Sequence, residues 1–238
     1  MAIITITITI HPSTHSFSSD TLPPTLAFSL ALTSPDPRPI TLFTYQTPLS
    51  IHDALIQPLG LTITDLTTDT LVSPTSFVCI YRPPPTRIAG PPHHGEKHLI
   101  ALLPSKSEAA EPVTISTPFG RGSRRPVPRE IAETGWETVR NEKGKEIRVG
   151  RPRSARGADG LEPGRRYAVG LDAERLKRVW WTFGGKEGVL VGLDDLRERD
   201  ASIGGGKGGR WFGDYEGWVK GGEGIDWKVV EGVVDVLE

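Results

Sequence analysis

The sequence predicts an all-β chain folded as an antiparallel β-sandwich. Three observations lead there. Ile4, Ile6, Ile8 and Ile10 alternate with Thr5, Thr7 and Thr9, a period of two that no helix has, in residue types that favour strands. Leu161-Glu162-Pro163-Gly164-Arg165-Arg166-Tyr167-Ala168-Val169-Gly170-Leu171 reads as a turn feeding a strand with a tyrosine at its start. That is the arrangement of a tyrosine corner in Greek-key sandwiches, where the phenol bonds to backbone just upstream. The 21 prolines and 27 glycines make about a fifth of the chain, above ordinary usage but below the ~25–30% of disordered segments. They punctuate the sequence into short elements.

In chain order, the Ile/Thr segment ends at His11-Pro12. Thr25–Leu32 is the second expected strand, Ser34-Pro35-Asp36-Pro37-Arg38-Pro39 a stiff turn, and Ile40–Tyr45 the third strand. Pro48 to Ile56 is expected as a short helix with Ser50 as N-cap. Strands follow at Leu61–Thr64, Phe77–Tyr81, His98–Leu103 and Pro112–Ser116, while Pro83 to Pro92 lacks the donors of a central strand. Residues 117–160 form a charged insertion containing a β-hairpin, Trp136–Arg140 and Lys145–Val149, around a glycine turn. Arg166–Leu171 and Arg178–Phe183 are strands, Leu193–Arg199 a helical turn, 203–224 a Gly/aromatic-rich loop, and Trp227 to Leu237 one final strand. The expected total is roughly nine to eleven strands with at most two short helices, in a single domain over 1–238.

Composition narrows the function classes. Cys79 is the only cysteine, so no disulfide forms within the chain, and a reducing compartment, cytoplasm or nucleus, fits best. The N-terminus has no basic n-region, and the longest apolar runs, Phe77–Tyr81 and Leu99–Leu103, are too short to span a bilayer; no membrane association is expected. The net charge of −1 hides an asymmetry: through residue 81 the only Lys or Arg is Arg38, and all six tryptophans come later.

Several groups of residues invite a chemical reading. His93-His94-Gly95-Glu96-Lys97-His98 has zinc-ligand types, but no second cluster and no helical H-E-x-x-H frame, so a solvated turn is expected and no metal. Gly204-Gly205-Gly206-Lys207-Gly208-Gly209 has the glycine density of a dinucleotide loop. It lacks the preceding strand, the following helix and the Ser/Thr of a P-loop, so no cofactor is expected. From 121 to 166 there are 13 lysines and arginines against 7 acids. Arg148, Arg151 and Arg153 are the candidate basic patch, and Gly150-Arg151-Pro152 has the core of a minor-groove hook with Val149 where its first arginine belongs. Interspersed glutamates make a solubilising loop the better reading, with nucleic acid an unlikely partner. Tyr81-Arg82-Pro83-Pro84-Pro85 reads as a stiff connector, and Cys79 as a structural thiol.

Trp180-Trp181 sits on a strand, so one ring points in and the other out. With Trp181 taken as the outward ring, it joins Trp211, Phe212, Tyr215 and Trp218 as a candidate recognition surface. Leu161, Pro163, Gly164 and Tyr167 are the candidate structural corner. No G-x-S-x-G elbow occurs and no acid–base pair follows from spacing, so no catalytic residue is nominated.

Pro24-Thr25-Leu26, Pro39-Ile40-Thr41-Leu42-Phe43-Thr44, Thr64-Asp65-Leu66-Thr67-Thr68, Phe119-Gly120-Arg121-Gly122, Gly160-Leu161-Glu162-Pro163-Gly164-Arg165-Arg166-Tyr167 and Trp180-Trp181 follow one another along most of the chain. In that order they resemble a set of uncharacterised intracellular β-sandwich proteins of filamentous fungi. The resemblance implies an immunoglobulin-like plan, shared with an intracellular proteinase-inhibitor type, and brings no activity with it. The chain departs by its insertion at 123–158 and its glycine-rich segment at 203–224.

The expectation is therefore an all-β, immunoglobulin-like antiparallel sandwich with a long inter-strand insertion. Its expected role is a non-catalytic binding or protein-interaction module with an unknown protein partner, recognition lying in the loops. The alternatives are a small-molecule enzyme or accessory factor with an apolar pocket under the tryptophans, a proteinase-inhibitor-like module, or a weak nucleic-acid binder through the Arg-rich insertion.

Overall fold

The structure is a computed structural model, and it describes residues 1–17, 22–56, 59–72, 96–105, 111–121, 136–140, 143–150, 157–190 and 217–237. The expected strand Phe77–Tyr81, the thiol Cys79, the proline connector, the helical turn Leu193–Arg199 and the glycine run 204–209 lie outside these residues.

Strand β1, Ala2–His11, sits inside the first sheet, with its even-numbered isoleucines buried and its threonines on the other face. It pairs antiparallel with β3 (Thr25–Thr33), which pairs in turn with β8 (Val113–Pro118). Its other edge takes β14 (Ile225–Val230) in parallel, with Ile4 opposite Trp227 and Ile6 opposite Val229. The first sheet thus has the order β14-β1-β3-β8.

The second sheet has the order β2 (Thr14–His15), β15 (Gly232–Val236), β11 (Arg166–Leu171), β5 (Leu61–Asp65), β6 (Thr70–Leu71). Here β11 is central, flanked antiparallel by β15 and β5. The short β2 runs parallel to β15, and β6 completes a hairpin with β5. The third sheet, β13-β12-β4-β7, is antiparallel throughout and joins Val219–Lys220, Trp180–Phe183, Ile40–Phe43 and Leu99–Leu102. Beyond β7, Pro104 bridges Leu32, and the Ser105 N–H bonds the Leu32 carbonyl at 2.8 Å, tying the third sheet to the first. One apolar core draws on all three sheets, from Ile6 and Phe28 to Val169 and Leu42.

The chain is mostly β, as expected, but two expectations need correction. The fold is not antiparallel throughout. The two ends of the chain run side by side: β1 and β14 are parallel in the first sheet, β2 and β15 parallel in the second. Each end changes sheet between the Thr7–Val230 pair of the first sheet and the Thr14–Asp235 pair of the second. Pro12 has no N–H to continue the β1 ladder. On the C-terminal side the expected single strand Trp227–Leu237 breaks at Glu231, and Gly232 passes so close to β1 that a Cβ would meet the Ile8 carbonyl oxygen at 2.9 Å. Alternation tells which face a residue takes, not the direction of the neighbouring strand.

The second correction concerns helices. Helix α1, Ile51–Ile56, was expected, and Ser50 stands before it with its hydroxyl donating to Asp53 at 2.7 Å. A 3-10 turn at Glu96–His98 and helix α2, Ala173–Leu176, exceed the expected maximum of two. Helix α2 carries the chain from the second sheet to the third, and Asp172 caps it by accepting the Glu174 and Arg175 N–H groups. Four residues are too few to show a helical period.

The expected hairpin is present: β9 (Trp136–Arg140) and β10 (Glu146–Gly150) pair antiparallel around Gly144, which has φ of +72°. At the base of that insertion Gly120 bridges Gly157, and the Ala158 N–H bonds the Gly120 carbonyl at 2.8 Å.

Candidate functional site

The third sheet carries large apolar side chains on both faces. In an antiparallel sheet, residues paired directly across neighbouring strands share a face. The row Val219–Trp181–Leu42–Ile100 turns inward and closes the core. The next row, Lys220–Trp180–Phe43–Leu99, therefore takes the outer face across all four strands. A sheet with one face on a core and one on water alternates apolar with polar. This one does not: Phe43 and Leu99 are buried in a second cluster, with Tyr45, Trp180, Leu190 and Trp218 partly buried around them.

Rings organise the cluster. His98 lies edge-on to Tyr45 at 5.0 Å and to Phe43 at 6.2 Å, and Phe43 is tilted against Tyr45 at 6.1 Å. The His98 carbonyl accepts both the N–H (2.8 Å) and the hydroxyl (3.0 Å) of Thr44, which fixes the turn beside the rings. Burial holds the His98 pKa below its ordinary value, with the Lys97 charge acting the same way and Asp53 opposing. The ring is therefore neutral at pH 7. At the other end of the row the Lys220 ammonium lies 5.4 Å from the centre of the Trp180 ring, within cation–π range.

Of the residues expected to form a recognition surface, Trp218 lies in this cluster, half-buried. Trp181 does not. Its ring is only 6% exposed, packs in the main core, and donates its indole N–H to the Glu223 carbonyl at 3.2 Å. The inward and outward members of the Trp pair are thus reversed from the expectation, because the strand register puts Trp181 opposite Leu42 and Trp180 opposite Phe43. Trp211, Phe212 and Tyr215 lie outside the described residues. The Trp227 indole N–H bonds the Gly221 carbonyl at 2.8 Å, so the two indole N–H groups both pin the turn between β13 and β14.

No protein-family model matches this chain, no curated protein matches its sequence, and no solved structure matches its fold.

Of the basic patch, Arg148 stands on β10 opposite Thr138, while Arg151 and Arg153 lie outside the described residues. The histidine run is likewise represented by His98, with His93 and His94 outside. Among the described residues no helix is long and apolar enough to cross a membrane.

The corner residues pack together. Leu161 and Tyr167 are buried, and the Tyr167 phenol oxygen accepts the Glu162 N–H at 2.8 Å. Gly164 has φ of +73°, and its N–H bonds the Val236 carbonyl at 2.8 Å. Tyr167 stands opposite Asp65, a carboxylate only 2% exposed that receives the Arg165 guanidinium at 2.5 Å and the Thr67 N–H at 2.8 Å. Arg121 reaches in from the base of the insertion to donate to the Ala158 and Leu161 carbonyls, its guanidinium 5.2 Å from the Phe17 ring centre. This region is scaffold: its charged groups are paired with one another or with backbone.

Sequence reasoning missed Phe43, Tyr45, His98, Leu99, Trp180 and Lys220 as a group. A signal for part of it was present. Leu42-Phe43 and Leu99-Ile100-Ala101-Leu102 are continuous apolar runs where a half-solvated strand would alternate.

Proposed function

We propose that this chain is a non-catalytic protein-interaction module, and that it reads its partner on the outer face of the third sheet. The observation that carries this reading is the row Lys220–Trp180–Phe43–Leu99, flanked by Tyr45, His98 and Trp218, on the far side of a sheet whose other face already closes the core. Interface centres favour aromatic anchors in a rigid apolar setting. Trp180 and Phe43 stand on paired strands, so little of their side-chain freedom is lost on binding.

The same reading takes the body as an immunoglobulin-like sandwich of the kind the filamentous-fungal proteins resemble. The tyrosine corner supports it, as does the meeting of two of the resembling stretches, Phe119–Arg121 and Leu161–Tyr167, around the Arg121 contacts to the Ala158 and Leu161 carbonyls.

The test is capture of partners from native lysate by the wild type, Trp180→Ser and Tyr45→Ser. Loss of the captured proteins in both variants, with melting temperatures held, supports the reading. An unchanged set of partners overturns it.

A further inference from the structure

The outer face of the third sheet has a charge pattern as well as an apolar one. At the β13 edge the exposed Lys220 holds its ammonium over the Trp180 ring at 5.4 Å. At the β7 edge the exposed Lys97 stands in the 3-10 turn next to His98, whose ring lies against Tyr45 and Phe43. Neither lysine forms an ion pair among the described residues. The acid whose charge reaches His98 is Asp53, and its carboxylate already accepts the Ser50 hydroxyl at 2.7 Å.

From β13 to β7 is three strand spacings, about 14 Å at ~4.8 Å each. Between the two cations Trp180 and Tyr45 are partly exposed above the buried Phe43 and Leu99. A ligand matching it has an apolar middle and a negative charge at each end. In an extended peptide, residues four apart are separated by about 14 Å, at ~3.4 Å per residue. Lys97 stands two residues before Leu99, beyond the end of β7, and the flexible lysine stems span that offset.

We propose that this face binds an acidic peptide segment in extended form, with carboxylates four residues apart meeting Lys220 and Lys97 and the apolar side chain midway between them, which shares their face, lying between Trp180 and Tyr45. The proposal rests on the interaction-module reading and adds the chemistry of the partner. A single-stranded nucleic acid also uses aromatic rings and cations, but it needs free ring faces and a track of positive charge. Among the described residues this face has one lysine near either edge rather than a track of positive charge.

The test uses the full chain and four probes: an end-blocked pentapeptide with glutamate at both ends and leucine, phenylalanine, leucine between; the same peptide ended by glutamine; the same ended by lysine; and an oligothymidylate. Calorimetry gives affinity, and indole N–H resonances of Trp180 and Trp218 report location. The glutamate peptide is expected to bind about tenfold more tightly than the glutamine peptide, the sum of two exposed charge pairs. Raising salt to about 1 M, where screening acts within ~3 Å, should erase most of that difference. Lys220→Gln and Lys97→Gln should each remove part of it at an unchanged melting temperature. Equal binding of the glutamate and glutamine peptides overturns the acidic specificity while leaving the face as a docking surface. Binding of none of the peptides, or tighter binding of the oligothymidylate, overturns the peptide proposal outright.

Discussion

The phenol oxygen of Tyr167 accepts the backbone N–H of Glu162, five residues upstream, at 2.8 Å, and the tyrosine is only 1% exposed. The bond closes the turn through Pro163 and Gly164 onto the first residues of β11. Its phenol is also held in the protonated form, because burial raises its pKa.

Tyr167→Phe removes that acceptor and leaves the Glu162 N–H without it. The expected cost is about 1 kcal/mol, or a fall of roughly 2–4 °C in melting temperature for a chain of this size. Thermal unfolding followed by circular dichroism checks it. An unchanged midpoint would show that the corner contributes no stability.

Asp65 and Arg165 predict a pH dependence. Burial pushes the Asp65 pKa up, and the Arg165 hydrogen bond, the Thr67 N–H, the Arg165 charge and the Thr68 hydroxyl together outweigh it, so the folded-state pKa is lowered. A lowered carboxylate stabilises fully above its unfolded value, near about 4, and that contribution is lost as pH falls through the folded value. Melting temperatures of the wild type should therefore drop more steeply between about pH 5 and 2 than those of Asp65→Asn. Arg165→Ala, which strands a buried carboxylate, should cost about 2 kcal/mol at pH 7; this lies below the ~3–5 for fully buried pairs because the arginine head is partly in water.

Gly157 and Gly164 both have positive φ, +91° and +73°, but different surroundings. A Cβ on Gly157 would come within 2.5 Å of Leu55 Cδ2 and 2.9 Å of Phe119, whereas one on Gly164 would meet nothing within 4 Å. Gly164→Ala should cost about 1 kcal/mol from backbone strain alone. Gly157→Ala should cost roughly 1–3 kcal/mol more, because the core must also yield. Equal denaturation midpoints for the two variants would contradict the close packing at the insertion's base.

The adjacent tryptophans should behave as opposites. Trp181→Ala opens the main core and should cost about 3–5 kcal/mol. Trp180→Ser, on the outer row, should leave the melting temperature within a few degrees of wild type and act on partner capture instead. If Trp180→Ser proved the more destabilising, the outer cluster would be a second structural core rather than a recognition surface.

Much of the fold was legible because strand periodicity reports burial directly. The Ile/Thr alternation of β1 became a strand over Ala2–His11, and the strand expected over Arg166–Leu171 has those bounds. What stayed hidden depends on pairing between distant segments. Nothing in Ile225–Val230 states that it runs parallel to β1. Nor do Trp180 and Trp181 state which points inward; that was settled by Phe43 and Leu42, more than a hundred residues earlier, through the register of β4. The candidate site was legible only as single residues for the same reason. Its outer row takes one residue from each of four strands, and no local pattern spans them.

The bridge between Gly120 and Gly157 has a consequence for how the chain can change length. The two ends of the intervening segment are already held together by the body, through the Ala158 N–H on the Gly120 carbonyl and the Arg121 guanidinium on the carbonyls of Ala158 and Leu161. Doubling the length of a closed loop adds only about 0.6 kcal/mol of closure entropy. The position is thus a natural graft point. A fluorescent reporter or affinity module spliced into the segment would hang from a closed ring, and the three sheets beneath it would fold as before.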